Sequence, residues 1–445
     1  MSSAPAPQVA SSLWDRVRAG AALGEPESPG AVDFAWAASG AMALTGEADG
    51  PPLLAPAPLA SAAARALACI TQLAWQPERL AFDAAALLGE RAACFGFARA
   101  GQRAAGARCR LLRASEGWLA VHLTRDDDIA SLPAWLEREP HEFDWGQLAA
   151  QVARRDAAEL VARARLLGMP ISPAAAPPRG DIPWCSIAAR GMPRRRPPNA
   201  RPRVVDLTSL WAGPLCTHLL ERAGADVVKV ESRSRPDGGR RGDARFYALL
   251  NHGKRSVALD FADANDRRAL MRLLRGADIV VESSRPRALA QLGIDAERLV
   301  RERPGLTWVG ISGHGRAAPQ GDWIAFGDDA AAAGGLCQAT GAAERPLFCA
   351  DAIADPLTGL YAAVAGLAAH RAGGGMLVDV ALAGVIAHLV ARPAGSRLAR
   401  VVSDADAEIV EWAGERVPVA SPRARVPGGA ATALGADTAA VLATC

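Results

Sequence analysis

Two lysines are the residues of this chain whose type and position most directly suggest a binding function. They are the only lysines among 445 residues, and arginine carries the rest of the permanent positive charge. Lys229 lies in Val227-Val-Lys-Val-Glu231, and Lys254 lies in Asn251-His-Gly-Lys-Arg-Ser256. A compact ammonium group can meet a phosphate as a point charge, whereas a guanidinium group prefers bidentate partners. The concentration of both lysines within 203–261 favours a phosphate-bearing ligand, with chance placement as the alternative.

The segments around the lysines predict alternating strands and helices. Short apolar runs predict strands at 203–207, 226–231, 256–259, 278–282 and 307–311. Helical spacing predicts helices at 215–222, 263–275 and 294–301. Strands joined by helices of this length form right-handed crossovers and a parallel sheet, whose ligands bind at the carboxyl ends of the strands. The turn Ala212-Gly-Pro214 is not the dinucleotide fingerprint G-x-G-x-x-G, so a nicotinamide cofactor is not expected.

A third candidate is Asp355, which precedes Pro356 and an apolar stretch at 357–370. This order predicts that Asp355 is the N-cap of a helix with proline at the first helical position. Amide donors and the helix dipole at such a position keep a carboxylate ionised, and an ionised carboxylate is a nucleophile. The residues alone leave capping and catalysis open.

Seven motifs and the C-terminal segment resemble one known family when they are taken together in chain order. The motifs are Val204-Val-Asp-Leu-Thr208, Ala212-Gly-Pro214, Gly224-Ala-Asp-Val-Val-Lys-Val-Glu231, Asn251-His-Gly-Lys-Arg-Ser-Val-Ala-Leu-Asp260, Asp278-Ile-Val-Val-Glu282, Ile311-Ser-Gly-His-Gly315 and Ile353-Ala-Asp-Pro-Leu-Thr-Gly-Leu-Tyr361, and the C-terminal segment is Leu434-Gly-Ala-Asp-Thr-Ala-Ala-Val-Leu442. They resemble the family III CoA-transferases, the CaiB/BaiF group that includes formyl-CoA and carnitine CoA-transferases and α-methylacyl-CoA racemase. The resemblance covers 203–392, and less closely the tail.

The resemblance implies an α/β fold, with a doubly wound, mainly parallel Rossmann-like sheet that binds CoA and a smaller α+β domain in a family-like interlocked arrangement. It also implies an enzyme that moves CoA from an acyl-CoA to an acceptor carboxylic acid. Asp355 would be the nucleophile, forming an aspartyl anhydride and then an aspartyl-CoA thioester. Tyr361, six residues further on, is expected to pack.

CoA contacts follow by position from the same resemblance. The predicted contacts are Leu210, Trp211, Ala212, Ser232, Arg233, Leu259, Asp260, Ser283, Ser284 and Arg285. Gln291 stands where formyl-CoA transferase has an arginine, which puts one phosphate contact in doubt. For Arg233 and Arg285 a solvated surface charge is the alternative.

The racemase branch of the family places a histidine before an aspartate for proton transfer at the α-carbon. This chain has Gly327 before Asp328, and His314 belongs to a different loop. Racemisation is therefore disfavoured.

The first 200 residues resemble parts of the same family in an unusual order. Trp36-Ala-Ala-Ser-Gly-Ala-Met-Ala-Leu-Thr-Gly46 and the following 49–61 resemble 330–355, and the register places Ser61 opposite Asp355. Segments 109–122 and 166–173 resemble the smaller domain, which in typical members follows the nucleophile. Either the chain is a permuted or internally deleted double-length enzyme, or its first part is a degenerate copy that mimics the partner of a dimer.

These features divide the chain into four predicted regions. They are a degenerate repeat with the small-domain-like segment at 1–189, a Pro/Arg linker at 190–202, the CoA-binding domain with Asp355 at 203–392, and a tail at 393–445. A segment rich in proline and arginine cannot form a core, which predicts a solvated linker.

Composition limits the remaining possibilities. A formal net charge of +3 gives no nucleic-acid signature, and the eight cysteines lack metal-ligand spacing, so no metal and a reduced cytoplasmic setting are expected. No signal peptide and no membrane span are indicated. A homodimer is expected, with acyl-CoA and a small carboxylic acid as partners. A non-catalytic acyl-CoA-binding protein is the competing function, because stretches after Leu389 that relatives contain are missing.

Overall fold

The computed structural model describes residues 14–15, 17, 29–138, 143–392, 399–404 and 407–444. Residues before the Pro/Arg segment form α1 (Pro29–Ala38), α2 (Leu59–Leu73), α3 (Glu90–Phe95), β1 (Cys109–Arg113), β2 (Trp118–His122), α4 (Asp126–Ala130), α5 (Leu132–Leu136), α6 (Trp145–Val152), α7 (Ala157–Leu167), β3 (Ile171–Pro173) and β4 (Ser186–Arg190). Single 3₁₀ turns occur at Met42–Leu44, Pro77–Leu80 and Ala84–Leu88.

The second half of the chain continues the alternation of strands and helices. Its elements are β5 (Arg203–Leu207), α8 (Ala212–Arg222), β6 (Asp226–Ser232), α9 (Ala244–Asn251), β7 (Arg255–Leu259), α10 (Ala264–Gly276), β8 (Ile279–Glu282), α11 (Pro286–Gln291), α12 (Ala296–Glu302), β9 (Thr307–Ser312), α13 (Gly327–Ala333), α14 (Leu336–Thr340), α15 (Ala354–Arg371), β10 (Met376–Ala381), α16 (Leu382–Val390), β11 (Arg400–Asp404), β12 (Ala407–Trp412), β13 (Glu415–Pro418) and α17 (Thr438–Leu442). The 3₁₀ turns of this half are Gly238–Arg241 and Gln320–Asp322.

A seven-stranded sheet organises this half, in the order β4-β10-β9-β8-β5-β6-β7. Every neighbouring pair is parallel except β10 with β4, which is antiparallel. The predicted doubly wound, mainly parallel sheet is therefore confirmed, and the five predicted strands agree with the observed ones to within one residue at each end. Two strands, β4 and β10, were not predicted, and β4 comes from the part of the chain before residue 190.

Helices cover both faces of this sheet because successive strand residues point to opposite sides. Val204 packs in the cluster that contains α8 and α15, whereas its neighbour Val205 packs in the cluster that contains α10 and α12. Helix α15 is buried around its whole circumference, with only Asp355 and Arg371 partly exposed. A helix that is apolar on every side needs cover from more than one neighbour.

The additional cover for α15 comes from α2, which packs against it in the same core cluster. Ser61, the residue predicted to correspond to Asp355, is the third residue of α2 and is buried. The helices that begin at the ends of the two similar segments therefore lie against each other.

The smaller sheet, β1-β2-β3, is antiparallel and carries its own core with α5, α6 and α7. It joins the second half at α13 and α14, where Ala175 N donates to Ala332 O at 3.0 Å and Gln338 Nε2 donates to Ala174 O at 2.7 Å. The end of β2 lies beside the start of α13, where His122 Nδ1 is 3.3 Å from Asp329 Oδ1.

The C-terminal part connects both halves of the molecule. Arg425 pairs with Glu90 of α3 at 2.8 Å, and further along Asp437 Oδ2 accepts a hydrogen bond of 2.7 Å from Ser256 N of β7. The Pro/Arg segment is mostly exposed, and Arg194 N within it donates to Gly373 O, in the turn before β10, at 2.8 Å. Within the described ranges, no helix combines the length and apolarity that a membrane span needs.

Candidate active site

Asp355 is the second residue of α15, and its carboxylate is half-buried. The N-cap position is occupied by Ile353, and no side chain caps the helix. The prediction that Asp355 is an N-cap is therefore wrong, because the helix begins two residues earlier than the aspartate–proline pair suggested. Just before the helix, Ala350 and Ala352 have positive φ angles of 55° and 41°. Such angles are uncommon in residues other than glycine, and they cluster at functional sites.

Gly327, the first residue of α13, allows the Asp355 carboxylate to lie close to the backbone. A Cβ atom at residue 327 would lie 2.2 Å from Asp355 Oδ2 and 2.4 Å from Ala352 O. Neither distance is possible for a real carbon atom, so any larger residue would displace the carboxylate or the loop. The structure thus leaves no room for a histidine where racemases have one, and His314 lies instead against the ring of Trp323, with 5.6 Å between ring centroids.

Three further aspartates surround Asp355, and each is buried and has a partner. Asp328 Oδ1 accepts a hydrogen bond of 2.9 Å from Ala352 N, which fixes the loop before α15. Asp351 accepts two hydrogen bonds from Arg91, at 2.8 Å from Nε and 2.5 Å from Nη2.

Asp329 links the small sheet to this cluster. Its Oδ1 accepts a hydrogen bond of 2.7 Å from Phe326 N and lies 3.3 Å from His122 Nδ1, while its Oδ2 accepts from Ser172 Oγ at 3.2 Å. His122 ends β2 and Ser172 lies in β3, so two strands of the small sheet reach the start of α13. Within the described part of the chain, these carboxylates do not form a group that could hold a metal ion.

Burial raises the pKa of Asp355 to about 7, against the opposing charge of Arg91 and with the support of the neighbouring carboxylates of Asp328 and Asp351. Burial likewise raises the pKa of Asp328 to about 6. The expectation that helix amides and dipole keep Asp355 fully ionised is therefore wrong: desolvation outweighs them. At neutral pH the Asp355 carboxyl group exchanges readily between its two protonation states, as is typical of groups that take part in catalysis.

Residues before 190 supply the positive and polar partners of this cluster. Besides Arg91 and His122, Thr45 contributes its Oγ1, which accepts a hydrogen bond of 2.9 Å from Ala350 N. The guanidinium group of Arg91 also lies 5.1 Å from the centre of the Trp211 ring. Sequence reasoning missed these residues, because Arg91 lies in no recognisable motif. The pair Asp351 and Asp355, spaced i and i+4, was the one signal that the sequence offered.

Most of the predicted CoA contacts lie along the carboxyl edge of the sheet. The strand order reverses between β5 and β8, and Ser209 N donates to Ser283 Oγ across this switch point at 3.3 Å. On the other side of β5, Arg233 N donates to Leu259 O at 2.9 Å. Crevices at such switch points are the usual ligand sites of doubly wound sheets. The structure therefore brings the predicted positions together in two neighbouring groups.

The predicted contacts differ in exposure. Leu210, Arg233 and Ser284 are exposed, whereas Ser232, Asp260, Ser283 and Arg285 are half-buried and Trp211, Ala212 and Leu259 are buried. Leu210 has a φ of 71°, which turns the chain sharply between β5 and α8. The Trp211 ring packs edge-on against Phe246 at 5.3 Å, and Tyr361 packs against Trp184 at 5.2 Å, as expected for Tyr361. Contact of these residues with CoA stays a prediction.

The two lysines do not face a ligand. Lys254 Nζ lies 3.1 Å from Asp206 Oδ2 and donates to Thr217 Oγ1 at 2.7 Å. Lys229 Nζ donates to Thr208 O at 2.7 Å and lies 3.0 Å from Asp237 Oδ2. The side chains of both are almost completely buried.

The hypothesis that these lysines meet a phosphate is therefore wrong. Burial opposes the ionised form of Asp206, but the two ammonium groups hold its pKa at about 2. Asp237 in turn accepts a hydrogen bond of 2.9 Å from Leu210 N. Lys229 thus holds the turn after β5 through its contacts with Thr208 and Asp237.

Substitution of Gly327 tests the close approach to Asp355. Gly327→Ala is expected to cost about 1–3 kcal/mol of unfolding free energy, because the new methyl group overpacks the site. Gly384→Ala in α16 is the matched control, since its Cβ would meet its nearest neighbour at an ordinary 3.4 Å. The control is expected to be neutral or stabilising in urea denaturation. Equal effects of the two substitutions would contradict the packing described here.

The raised pKa of Asp355 predicts a pH-dependent stability difference. Above pH 4 this carboxyl group is ionised in the unfolded chain, but in the folded protein it stays protonated up to about pH 7. The unfolding free energy of the wild type therefore falls as the pH rises from 4 to 7. Asp355→Asn removes the loss, and is expected to be about 1–3 kcal/mol more stable than the wild type at pH 8 but not below pH 4. Denaturant titrations across pH 4–8 measure this. Asp263→Asn, at the exposed N-cap of α10, should show no such gain. Parallel pH profiles of wild type and Asp355→Asn would refute the raised pKa.

Comparison with known proteins supports the family resemblance found in the sequence motifs. The family model of CoA-transferase family III matches residues 201–422. The succinate–glutarate CoA-transferase of Agrobacterium fabrum is 32% identical over 212 residues, covering 43% of this chain and 52% of the relative. The formyl-CoA:oxalate CoA-transferase of Escherichia coli O6:H1 is 35% identical over 179 residues, covering 38% and 43%. The chain thus spans about half the length of the curated relatives it matches.

Two crystal structures also align with part of the chain. A hypothetical protein from Mycobacterium tuberculosis aligns at 26% identity with a TM-score of 0.43, covering 53% of this chain and 66% of that protein. A CaiB/BaiF family protein from Brucella suis aligns at 28% identity with a TM-score of 0.41, covering 47% and 64%. On the strength of the family match and the sequence relatives, the second half of this chain belongs to CoA-transferase family III.

Proposed function

We propose that this chain transfers CoA from an acyl-CoA thioester to an acceptor carboxylic acid, with Asp355 as the nucleophile. The observation that carries this proposal is the Asp355 carboxylate, half-buried over Gly327 at the start of α15 with a pKa of about 7. A carboxylate with a raised pKa is a better nucleophile than an exposed one, and at neutral pH a large part of it is still ionised. The names of the sequence relatives give succinate, glutarate and oxalate as acids of this kind.

The reaction would proceed by exchange at two carbonyl carbons. An oxygen of Asp355 attacks the thioester carbonyl carbon, the carbon–sulfur bond breaks, and CoA thiolate leaves behind a mixed anhydride. The thiolate then attacks the aspartyl carbonyl carbon and releases the first acid as its carboxylate. The acceptor carboxylate repeats these two steps in reverse order and leaves as a CoA ester, which restores Asp355.

The surroundings of Asp355 suit this sequence of steps. Arg91 and His122 provide positive charge or hydrogen-bond donors on one side, and Asp328 holds the loop that leads into α15. A site that admits little water protects an anhydride from hydrolysis. CoA would lie along the carboxyl edge of β5 and β8, with Leu210, Ser283 and Arg285 as contacts.

We also propose that residues 1–189 complete the site formed by the second half. Arg91, Thr45, His122 and Ser172 all precede residue 190 and contact the loop or the helix that surrounds Asp355. This arrangement supports either origin of the first half, a permutation or a copy that replaces the partner of a dimer. A homodimer remains part of the proposal.

A non-catalytic acyl-CoA-binding protein is the second candidate, because the chain covers only 52% of the length of the succinate–glutarate relative. The racemase alternative finds no support, since Gly327 leaves no space for a histidine. Chemistry at Asp355 separates the two remaining candidates.

Chemical trapping tests the nucleophile. With succinyl-CoA, hydroxylamine and a panel of small carboxylic acids, the wild type should form an aspartyl hydroxamate at residue 355, visible as a mass shift of that peptide. Asp355→Asn cannot form the anhydride, and its transfer rate should fall by about three orders of magnitude or more. Asp263→Asn is the matched control and should keep the wild-type rate.

Two outcomes would contradict the proposal. If Asp355→Asn transfers CoA at the wild-type rate, another group is the nucleophile. If the wild type binds CoA in calorimetry but forms neither hydroxamate from succinyl-CoA nor product with any acid of the panel, the non-catalytic candidate is correct.

A further inference from the structure

Four aromatic side chains form a cluster at the surface where the two halves of the chain meet. Phe95 ends α3 and Phe97 follows it, and their rings stack with 5.3 Å between centroids and 22° between planes. Phe246 of α9 lies edge-on to Phe95 at 6.2 Å and to Trp211 at 5.3 Å. Stacked and edge-on pairs are the favoured arrangements of aromatic rings. Phe95, Phe97, Trp211 and Phe246 thus form one packed unit, called here the aromatic cluster.

Arg91 of α3 lies at the inner end of the aromatic cluster. Its guanidinium carbon is 5.7 Å from the centre of the Phe97 ring and 5.1 Å from the centre of the Trp211 ring. Contacts with two rings hold the plane of the guanidinium group. Nε and Nη2 bind Asp351, whereas Nη1 makes no hydrogen bond among the residues that the structure describes and is not sealed from solvent. The side chain is 27% exposed, so this third nitrogen offers its N–H donors to an anion that arrives from outside.

The aromatic cluster also reaches solvent. Phe95 is 43% exposed, and Phe97 and Phe246 are half-buried. An exposed apolar surface beside polar groups is a feature of ligand-binding sites. A ligand ring placed on this surface would make the same stacked or edge-on contacts that the four rings make with one another. The exposed rings and the free edge of Arg91 therefore suit one molecule that has an aromatic ring at one end and an anionic group at the other.

A carboxylate is the anionic group that fits the surroundings of Arg91. The charge of Arg91 opposes the rise in the pKa of Asp355, which places the two groups close together, and Asp351 lies in the loop that leads to Asp355. A carboxylate on Nη1 would lie beside the aspartyl-CoA thioester of the proposed reaction. One of its oxygens would bond to the thioester carbonyl carbon while the carbon–sulfur bond breaks and CoA thiolate leaves. The free edge of Arg91 thus lies where an acceptor acid is needed.

We propose that Arg91 and the aromatic cluster bind the acceptor acid, and that this acid is an aryl-substituted carboxylic acid with its carboxylate on Arg91 Nη1 and its ring on Phe95 and Phe97. The inference rests on the proposed function for the type of reaction. It departs from the acids in the names of the sequence relatives, since succinate, glutarate and oxalate have no ring. Phe95 and Phe97 also precede residue 201, so they lie outside the part of the chain that matches the family model.

Calorimetric titration of the full chain with 3-phenylpropionate, 3-phenylpropionamide, succinate and CoA tests this site. The amide keeps the ring of the acid but lacks its charge. This change on the ligand replaces a substitution of Arg91, which would leave the buried Asp351 unpaired. The wild type should bind 3-phenylpropionate about tenfold or more tightly than the amide, the effect of a charge-assisted contact, and more tightly than succinate.

Two substitutions test the rings. Phe95→Leu and Phe97→Leu each remove one ring and keep an apolar side chain, and each should weaken the binding of 3-phenylpropionate about three- to tenfold. The binding of succinate and of CoA should stay at the wild-type strength, and urea denaturation shows whether each variant is folded. Phe82→Leu is the matched control and should bind all ligands as the wild type does. Phe82 is also half-buried against a carboxylate-paired arginine, since its ring lies 4.9 Å from the guanidinium carbon of Arg425, which binds Glu90.

Several results would overturn the proposal. They are equal binding of the acid and its amide, binding of succinate at least as tight as that of 3-phenylpropionate, and no binding of 3-phenylpropionate by the wild type. Unchanged binding in Phe95→Leu or Phe97→Leu, or an equal loss in Phe82→Leu, would overturn it as well. If both ring variants weaken the binding of CoA and not that of the acid, the aromatic cluster binds CoA instead.

Hydroxamate formation at residue 355 separates this proposal from the proposed function. A chain that forms the hydroxamate but prefers succinate would refute the aromatic site alone. A chain that binds 3-phenylpropionate through these rings but forms no hydroxamate would refute the transferase mechanism alone.

Discussion

The ion pair between Arg91 and Asp351 is the interaction on which the site depends. Asp351 is completely buried, and Arg91 reaches it with two hydrogen bonds from α3, a helix that ends at Phe95, well before the first strand of the seven-stranded sheet at Ser186–Arg190. A buried carboxylate without such a partner would be strongly destabilising. The pair therefore joins α3 of the first half to the loop before α15 in the second half.

The same pair sets the electrostatics of the neighbouring carboxylates. Asp328, Asp351 and Asp355 are close enough to influence one another, and the charge of Arg91 opposes the effect of the two neighbouring carboxylates on Asp355. Desolvation and like charge together exceed this compensation, so the pKa of Asp355 is about 7, whereas Asp351 pairs directly with Arg91. Asp351 therefore has a structural role, whereas Asp355 has the raised pKa that is typical of reactive groups.

The sequence was sufficient for the elements with strong periodicity and insufficient for contacts between distant segments. Strands such as 203–207 and 307–311 were predicted because continuous β-branched and apolar runs between helices have few alternatives. The N-cap at Asp355 was wrong because the helix start depends on the loop at Ala350 and Ala352, whose backbone angles no local pattern specifies. The lysines were misread because burial against Asp206 and Asp237 is decided by tertiary packing. Arg91 was missed because its partner lies 260 residues away.

The coupling energy between Arg91 and Asp351 is the most direct measure of this account. A double-mutant cycle with Arg91→Met and Asp351→Asn, followed by urea denaturation of the full chain, gives this quantity. The account predicts that Arg91→Met alone costs about 3–5 kcal/mol, since it leaves a buried charge unpaired, and that the double variant is at least about 2 kcal/mol more stable than the sum of the single effects implies. Additive effects within about 0.5 kcal/mol would show that the two side chains do not interact, and would contradict the claim that the first half of the chain completes the site.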